Sequence, residues 1–340
     1  MRKNYLDVAK LFAVICVMNV HASVTNNPVK RTISVFFMPV FFIIYGIASS
    51  GKPLKSWQEV WRFLEKRIKS LLVPYVLWAL IYAGDTGIGF VRGVLFGTNR
   101  SLGTAETNQV LWFLPCMFIA VILFQAYINI DAVIANKAGK VGFAVFVMSV
   151  CGLISCRFNI LFIFGSDIAL SGCIFMIIGK GAGQIFESFW KNKSNYVKLF
   201  AAVAMLLLTY VTVSCNLPYL EQRGYHRVIM ALAVYGRYDL FLAGAVMGSF
   251  GLLLIAMIFE NINLFVYMGR FSLFIMAVHY ILFPYVKPLC SRILDISYGG
   301  ELIYPAVVAV CCFVFCVPLC YIIDWAVPEL NGKSIRQTKI

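Results

Sequence analysis

Three histidines, His21, His226 and His279, are the side chains of this chain whose ordinary pKa lies closest to proton transfer near neutrality. A histidine held against a hydroxyl can take its proton and make a useful nucleophile of a poor one. His226 stands in the polar stretch NLPYLEQRGYHR and reads as a solvated loop residue. His21 and His279 stand inside apolar runs, where an ionisable group is costly and marks function by default. For His279 the plainer reading is a packed histidine bonded to a neighbouring helix.

The stretch from Arg2 to His21, RKNYLDVAKLFAVICVMNVH, predicts a helix that carries Asp7, Lys10 and His21 together. Lys10 and His21 are eleven residues apart, and at roughly 100° per residue eleven steps return to within about 20° of the starting direction. They share a face, about 16 Å apart along the axis, with Val14 and Met18 near the line between them. Taken alone, Asp7 and Lys10 read as a helix-end ion pair and His21 as the start of an outer loop. The whole spacing reads as a stripe joining a cationic mouth to a deep imidazole. If the helices begin near Asp7 and Leu264, His21 and His279 each lie about 20 Å from an inner end and reach similar depths.

The elements that must position these residues follow from composition. With 61% hydrophobic and 13% charged residues over 340 positions, and a mean hydropathy of +0.85, the chain is expected to be all-α, a polytopic integral membrane helical bundle. After the opening helix, apolar runs fall at 33–50, 69–84, 110–130, 141–156, 160–180, 197–214, 239–259, 264–286 and 302–325. These make about ten transmembrane helices in a single domain over 1–340. The run at 141–156 is short for a perpendicular span, so fusion or re-entry of a segment stays open. The first helix is expected to be retained, because no small-residue cleavage site follows it. Cys16, Cys116, Cys151, Cys173, Cys311, Cys312 and Cys316 fall within apolar runs without metal-ligand spacing, so reduced core residues and no metal are expected.

Charge orients the bundle. With a cytoplasmic N-terminus, eighteen of the 29 basic residues fall in inner turns and termini and ten in outer turns, with Arg270 at an inner helix start. This bias predicts that both termini are cytoplasmic. It also accounts for the net charge of +14 without nucleic acid, which is not expected as a partner. One basic segment stands apart: Lys52 to Lys69, KPLKSWQEVWRFLEKRIKS, interleaves basic side chains with Trp57, Trp61 and Phe63 at helical spacing. It reads as an amphipathic interfacial helix, suited either to anionic membrane lipids or to a phosphorylated ligand. Arg67 lies deepest in it, before Leu71-Leu72-Val73-Pro74-Tyr75, and its planar fork can bind two phosphate oxygens at once.

Four pieces in order carry a resemblance over essentially the whole chain: YLDVAK followed by ten residues and His21, EKRIKSLLVPY, VLWFLPCMFIA at 110–120, and YMGRFSLFIMAVHYILF at 267–283. The set resembles the membrane acyltransferase-3 family, multi-helix enzymes that O-acylate sugars, envelope polysaccharides and some small molecules. This chain has Lys10 where the family usually has arginine, and Ser70 where many members have another basic residue. The resemblance carries over His21, Arg67, Trp112, Ser272 and His279. It implies His21 and His279 as catalytic, Lys10, Arg67 and Lys69 as donor-binding, and Asp7, Trp112 and Ser272 as substrate-binding. The implied donor is acyl-CoA, acetyl-CoA above all, with no permanently bound cofactor. The implied acceptor is a glycan or lipid-linked sugar, and the implied location the bacterial inner membrane.

Other polar positions read as structural or functional alike. Asp167 in FGSDIALSG and the Arg237, Asp239 pair in YGRYDLFLAG lie at outer helix ends, where they can orient a sugar or cap and pair. Trp112 and Phe113 read as an aromatic belt or as a surface for a sugar ring. Gly172, Gly179, Gly244 and Gly248 read as close-packing positions. A second function class is a transporter of an envelope precursor, in which Lys10 and the histidines line a path; it would leave a thioester intact.

Overall fold

The opening helix, α1 (Asn4–Ala22), is apolar nearly all round, and Val8, Ala9, Leu11, Ala13 and Val14 are completely buried. A helix of that kind needs other helices on several sides. The computed structural model describes residues 3–83, 87–97, 110–134, 163–293 and 301–332. The predicted run at 141–156, with Cys151, lies outside them. So do residues 1–2 and 333–340, with Arg2, Lys333, Arg336 and Lys339.

The described residues form helices in the order α1, α2 (Pro28–Phe36), α3 (Pro39–Ala48), α4 (Trp57–Arg67), a π turn (Ile68–Leu72), α5 (Val73–Tyr82), α6 (Ile88–Phe96) and α7 (Phe113–Val133). Then come α8 (Ser166–Trp190), α9 (Asn195–Glu221), α10 (Tyr238–Ile258), α11 (Asn263–Gly269), α12 (Ser272–Ile293) and α13 (Ile303–Ala326). Eight helical stretches among the described residues are long and apolar enough to cross a membrane. The protein is an all-α polytopic membrane protein. Among the described residues there is no β-strand, only an isolated bridge between Ile229 and Val234.

The chain divides into two compact units. The first comprises Met1–Ile44, Gln184–Met230 and Val234–Ala326. In it α1 packs against α2, α10, α11, α12 and α13, while α9 and α10 form a long pair. Small residues set the close approaches, as expected for helices that gain little from burying apolar surface against each other in lipid. A Cβ at Gly244 would press on Thr212, and one at Gly248 would overlap the Phe36 ring. The tightest approach is Gly269 of α11, where a Cβ would overlap the backbone carbonyl of Asp7.

That approach coincides with a departure from the expected run at 264–286, which is broken. Arg270 N–H donates to Tyr267 O and Phe271 N–H to Met268 O, tightening the turn before α12 begins at Ser272.

The second unit comprises Tyr45–Gly183, Ala231–Ala233 and Val327–Ile340. The basic segment is α4, with Ser56 capping it by accepting from Glu59 N–H. Trp57 and Trp61 stack with ring centres 6.4 Å apart, and both are largely exposed. No break separates α4 from the predicted run at 69–84: the helix continues through the π turn into α5. Pro74 supplies part of the reason. It has no N–H for the Ser70 carbonyl one turn earlier, and Gly332 backs against that carbonyl instead. Trp78 Nε1–H donates to Leu330 O at 3.0 Å, and Tyr75 to Val94 O at 2.9 Å.

Candidate active site

His21 occupies the last turn of α1, which ends where Ser23 turns extended and its N–H bonds back to Asn19 O. The facing helix is α12, carrying His279 and Tyr280. The hydroxyl of Tyr280 lies 2.7 Å from His21 Nδ1. The two imidazoles lie 5.5 Å apart between ring centres, tilted by 38°. The two histidines therefore meet, as the shared depth required, although the break at Arg270–Phe271 makes the count from Leu264 a poor guide. Phe283, one turn further along α12, closes over His279 with ring centres 5.2 Å apart.

The bonds constrain the tautomers. His279 Nδ1 lies 2.6 Å from the Met276 carbonyl, which can only accept, so Nδ1 carries a proton. In the neutral ring Nε2 is then the lone-pair nitrogen, and it is completely buried without a hydrogen-bond partner among the described residues. The bond made by His279 stays within its own helix; it does not reach a neighbouring one. His21 can receive a proton at Nε2 only as the tautomer with hydrogen on Nδ1, which then donates to the Tyr280 oxygen.

The other end of α1 is ionic. Asp7 is buried, and its carboxylate accepts from Lys10 Nζ at 2.6 Å, with Arg270 Nε 3.8 Å from its second oxygen. Lys3, just before α1, pairs with Glu187 of α8. The Asp7–Lys10 pair is thus real, and Arg270 is a third member that spacing along α1 does not reveal. Between Lys10 and His21 the predicted stripe is filled: Val14 and Met18 are completely buried. The partly exposed residues of α1 between them, Phe12, Ile15, Cys16 and Asn19, lie on the opposite face. An acyl chain cannot follow the stripe without displacing these side chains.

Ser272 begins α12 two turns before His279, roughly 10 Å away along the axis, and is half-buried. In the second unit, Arg67 ends α4 with its guanidinium carbon 5.2 Å from the ring centres of both Tyr45 and Phe63. Its Nε is buried without a hydrogen-bond partner among the described residues. Lys69 is exposed and pairs with Glu65 at 2.5 Å, which holds the Glu65 carboxyl below its usual range. Trp112 is buried, edge-on to Phe113 at 6.0 Å, and so is not an exposed belt residue.

His226 is exposed, 3.5 Å from Glu221. Arg237 and Asp239 form an exposed pair at 2.5 Å, and Arg237 also covers the Tyr219 ring. Asp167 lies in the first turn of α8. The described cysteines are all free thiols, and no group of metal-ligating side chains occurs among the described residues.

A family described as an acyltransferase domain matches residues 3–325. The chain belongs to the acyltransferase-3 family. It is also similar to the nodulation protein NolL of Mesorhizobium japonicum, 24% identical over 185 residues. That alignment takes in 53% of this chain and 46% of NolL, so the chain spans about half the length of the curated relative it matches. No solved structure matches.

As a membrane acyltransferase of this family, the protein needs a base beside an acceptor hydroxyl and a means of holding a donor. Sequence reasoning named His21 as the candidate base and did not find Tyr280, which bonds to it. Tyr280 follows His279 directly in YMGRFSLFIMAVHYILF, and Arg270 stands in the same stretch, so adjacency to a motif histidine was the available signal.

Proposed function

We propose that the protein transfers an acetyl group from acetyl-CoA to a hydroxyl of an envelope or exopolysaccharide sugar, or of its lipid-linked precursor, in the bacterial cytoplasmic membrane. The observation that carries this reading is the Tyr280–His21 hydrogen bond beside the buried His279, in a chain of this family. His21 Nε2 takes the proton of the acceptor hydroxyl as its oxygen attacks the thioester carbonyl. The new C–O bond forms, the C–S bond breaks, and the coenzyme A thiolate leaves with the proton held by the imidazolium. Tyr280 holds the required tautomer. Histidine is suited to both steps because it accepts and returns a proton near neutrality.

Donor binding in this reading falls to cations. Lys10, held by Asp7, and Arg67, whose guanidinium packs against the rings of Tyr45 and Phe63, are the cations this reading assigns to donor phosphates, with Lys69 contributing long-range charge. Both termini face the cytoplasm, where acyl-CoA is made. Trp112 and Ser272 belong with the acceptor, and Asp7 supports binding through Lys10.

The test is direct. Purified protein in detergent, given acetyl-CoA and cell-envelope glycan, should release free coenzyme A thiol and acetylate the glycan, read by mass spectrometry. An intact thioester together with movement of glycan across proteoliposomes would instead make the protein an exporter.

A further inference from the structure

At roughly 100° per residue, the side chains of α4 divide among three faces. Phe63 and Arg67 share one, which meets protein: the Arg67 guanidinium lies over the Tyr45 ring. Trp57, Trp61 and Leu64 share the second, which continues to Ile68 in the π turn. Arg62 and Lys66 share the third, away from the tryptophans, and Lys55 stands just before the Ser56 cap. No residue of α4 is buried. Trp57 is 75% exposed and Trp61 61%, and Ile68 is exposed beyond them, so the apolar stripe has no protein over it along its whole length. Exposed apolar surface of this kind marks a contact.

The cationic face is equally uncovered. Arg62 and Lys66 are exposed and have no ion-pair partner among the described residues, while Lys69 takes Glu65. Glu59 accepts from Lys55 N–H at 2.8 Å. From Lys52 to Lys69 there are six basic and two acidic residues. The described carboxylates on the elements packed against the π turn, Asp131 of α7 and Glu329 beside Leu330, still leave a positive surplus of two.

Both faces are presented in a fixed place, because α4 is held at each end. Gln125 Nε2 on α7 donates to Lys52 O at 3.1 Å, and Asn129 Oδ1 accepts from Leu54 N–H at 2.9 Å, which ties down the linker before the helix. The other end runs on through the π turn into α5. An uncovered apolar stripe beside an uncovered cationic one fits the boundary of a bilayer with anionic headgroups. There lysine and arginine reach phosphates while their stems lie on apolar surface. A soluble phosphorylated ligand needs cations that converge. Lys55, Arg62 and Lys66 instead form a row about three helical turns long, on a different face from Arg67.

We infer that α4 is a lipid-surface site: Trp57, Trp61 and Ile68 enter the acyl boundary of one leaflet, and Lys55, Arg62 and Lys66 gather anionic phospholipid headgroups. The site does not depend on the acyltransfer proposed above.

The test uses full-length protein in nanodiscs of phosphatidylcholine with a minor fraction of phosphatidylglycerol. Bromine near the headgroup end of the acyl chains is carried either by the phosphatidylglycerol or by an equal amount of the phosphatidylcholine. Tryptophan fluorescence is read as the difference between the unaltered protein and Trp57→Phe/Trp61→Phe, which removes the signal of the other four tryptophans. Brominated phosphatidylglycerol should quench this difference signal at least about twofold more than brominated phosphatidylcholine, and added salt should erode the excess. Lys55→Gln/Arg62→Gln/Lys66→Gln should bring the two lipids level while quenching itself persists. All five substituted side chains are exposed, so these variants keep the fold. Absence of quenching by both lipids would take α4 out of the bilayer, and equal quenching in the unaltered protein would remove headgroup selection; either result overturns the inference. So would loss of the excess on adding coenzyme A, which would give the cationic row to a soluble phosphate ligand.

Discussion

Tyr280 and His21 stand 259 positions apart in the chain and share a 2.7 Å hydrogen bond. That bond gives the imidazole an orientation that α1 alone cannot supply, because α1 ends one residue later, at Ala22. A base at a helix end keeps its aim only if a second element holds the ring. Here α12 does so, with His279 packed beside it.

His21 should be indispensable to turnover. His21→Ala is expected to lose at least the ~100-fold typical of a positioned base, and His21→Gln should not rescue it, since an amide cannot take the proton. Acyl transfer by purified, correctly inserted protein at saturating acetyl-CoA is the measurement. Near-normal turnover would move the base to His279, while an acyl-imidazole trapped in the unaltered protein would replace direct transfer with a carrier.

Tyr280 is a positioning residue and its effect should be smaller. Tyr280→Phe keeps the ring against His279 and removes one neutral hydrogen bond worth about 1 kcal/mol, so kcat should fall about fivefold. The donor KM should stay unchanged, which loss of packing would not predict. Equal kcat values in the two proteins would leave the His21 tautomer indifferent to Tyr280.

The junction of α1 and α11 should be a stability hot point. Asp7→Asn removes the charge-assisted hydrogen bond that Lys10 makes to the buried carboxylate, at a cost of about 1.5–3 kcal/mol. Gly269→Ala forces a methyl group onto the Asp7 carbonyl, costing about 1–3 kcal/mol. Thermal unfolding in detergent should show a lowered Tm for both. An unshifted Tm in Gly269→Ala would mean that α11 can move away from α1 freely.

Arg67 should govern donor affinity. Arg67→Ala removes charge-assisted hydrogen bonds of about 1.5–3 kcal/mol each, and Arg67→Lys restores charge without the planar fork that fits between Tyr45 and Phe63. Acyl-CoA titration should rank the unaltered protein above Arg67→Lys and Arg67→Lys above Arg67→Ala. Identical affinities would confine Arg67 to anchoring α4.

Topology can be read with a thiol reagent that does not cross membranes. In a background depleted of native cysteine, Lys193→Cys should resist labelling in intact cells and Arg223→Cys should react, following the basic-residue bias. The reverse pattern would invert the protein in the membrane and place the His21 end of α1 on the cytoplasmic side.

Hydropathy and charge along the chain determined that this is an all-α membrane protein, that α4 is an amphipathic basic helix, and that Lys10 and His21 share one face of α1. Each of these depends on local composition and a fixed helical repeat, which do not require knowledge of neighbours. Tertiary packing decided the rest: that Tyr280 bonds to His21, that Arg270 joins the Asp7 and Lys10 pair, that Val14 and Met18 fill the stripe, and that Trp112 is buried. It also decided that the run at 264–286 breaks before Ser272, where Gly269 lets α11 press against the Asp7 carbonyl. The reason is that helices in a membrane are all apolar outside, so hydropathy does not distinguish their faces. Which faces meet depends on small residues and interlocking side chains from segments far apart in the sequence.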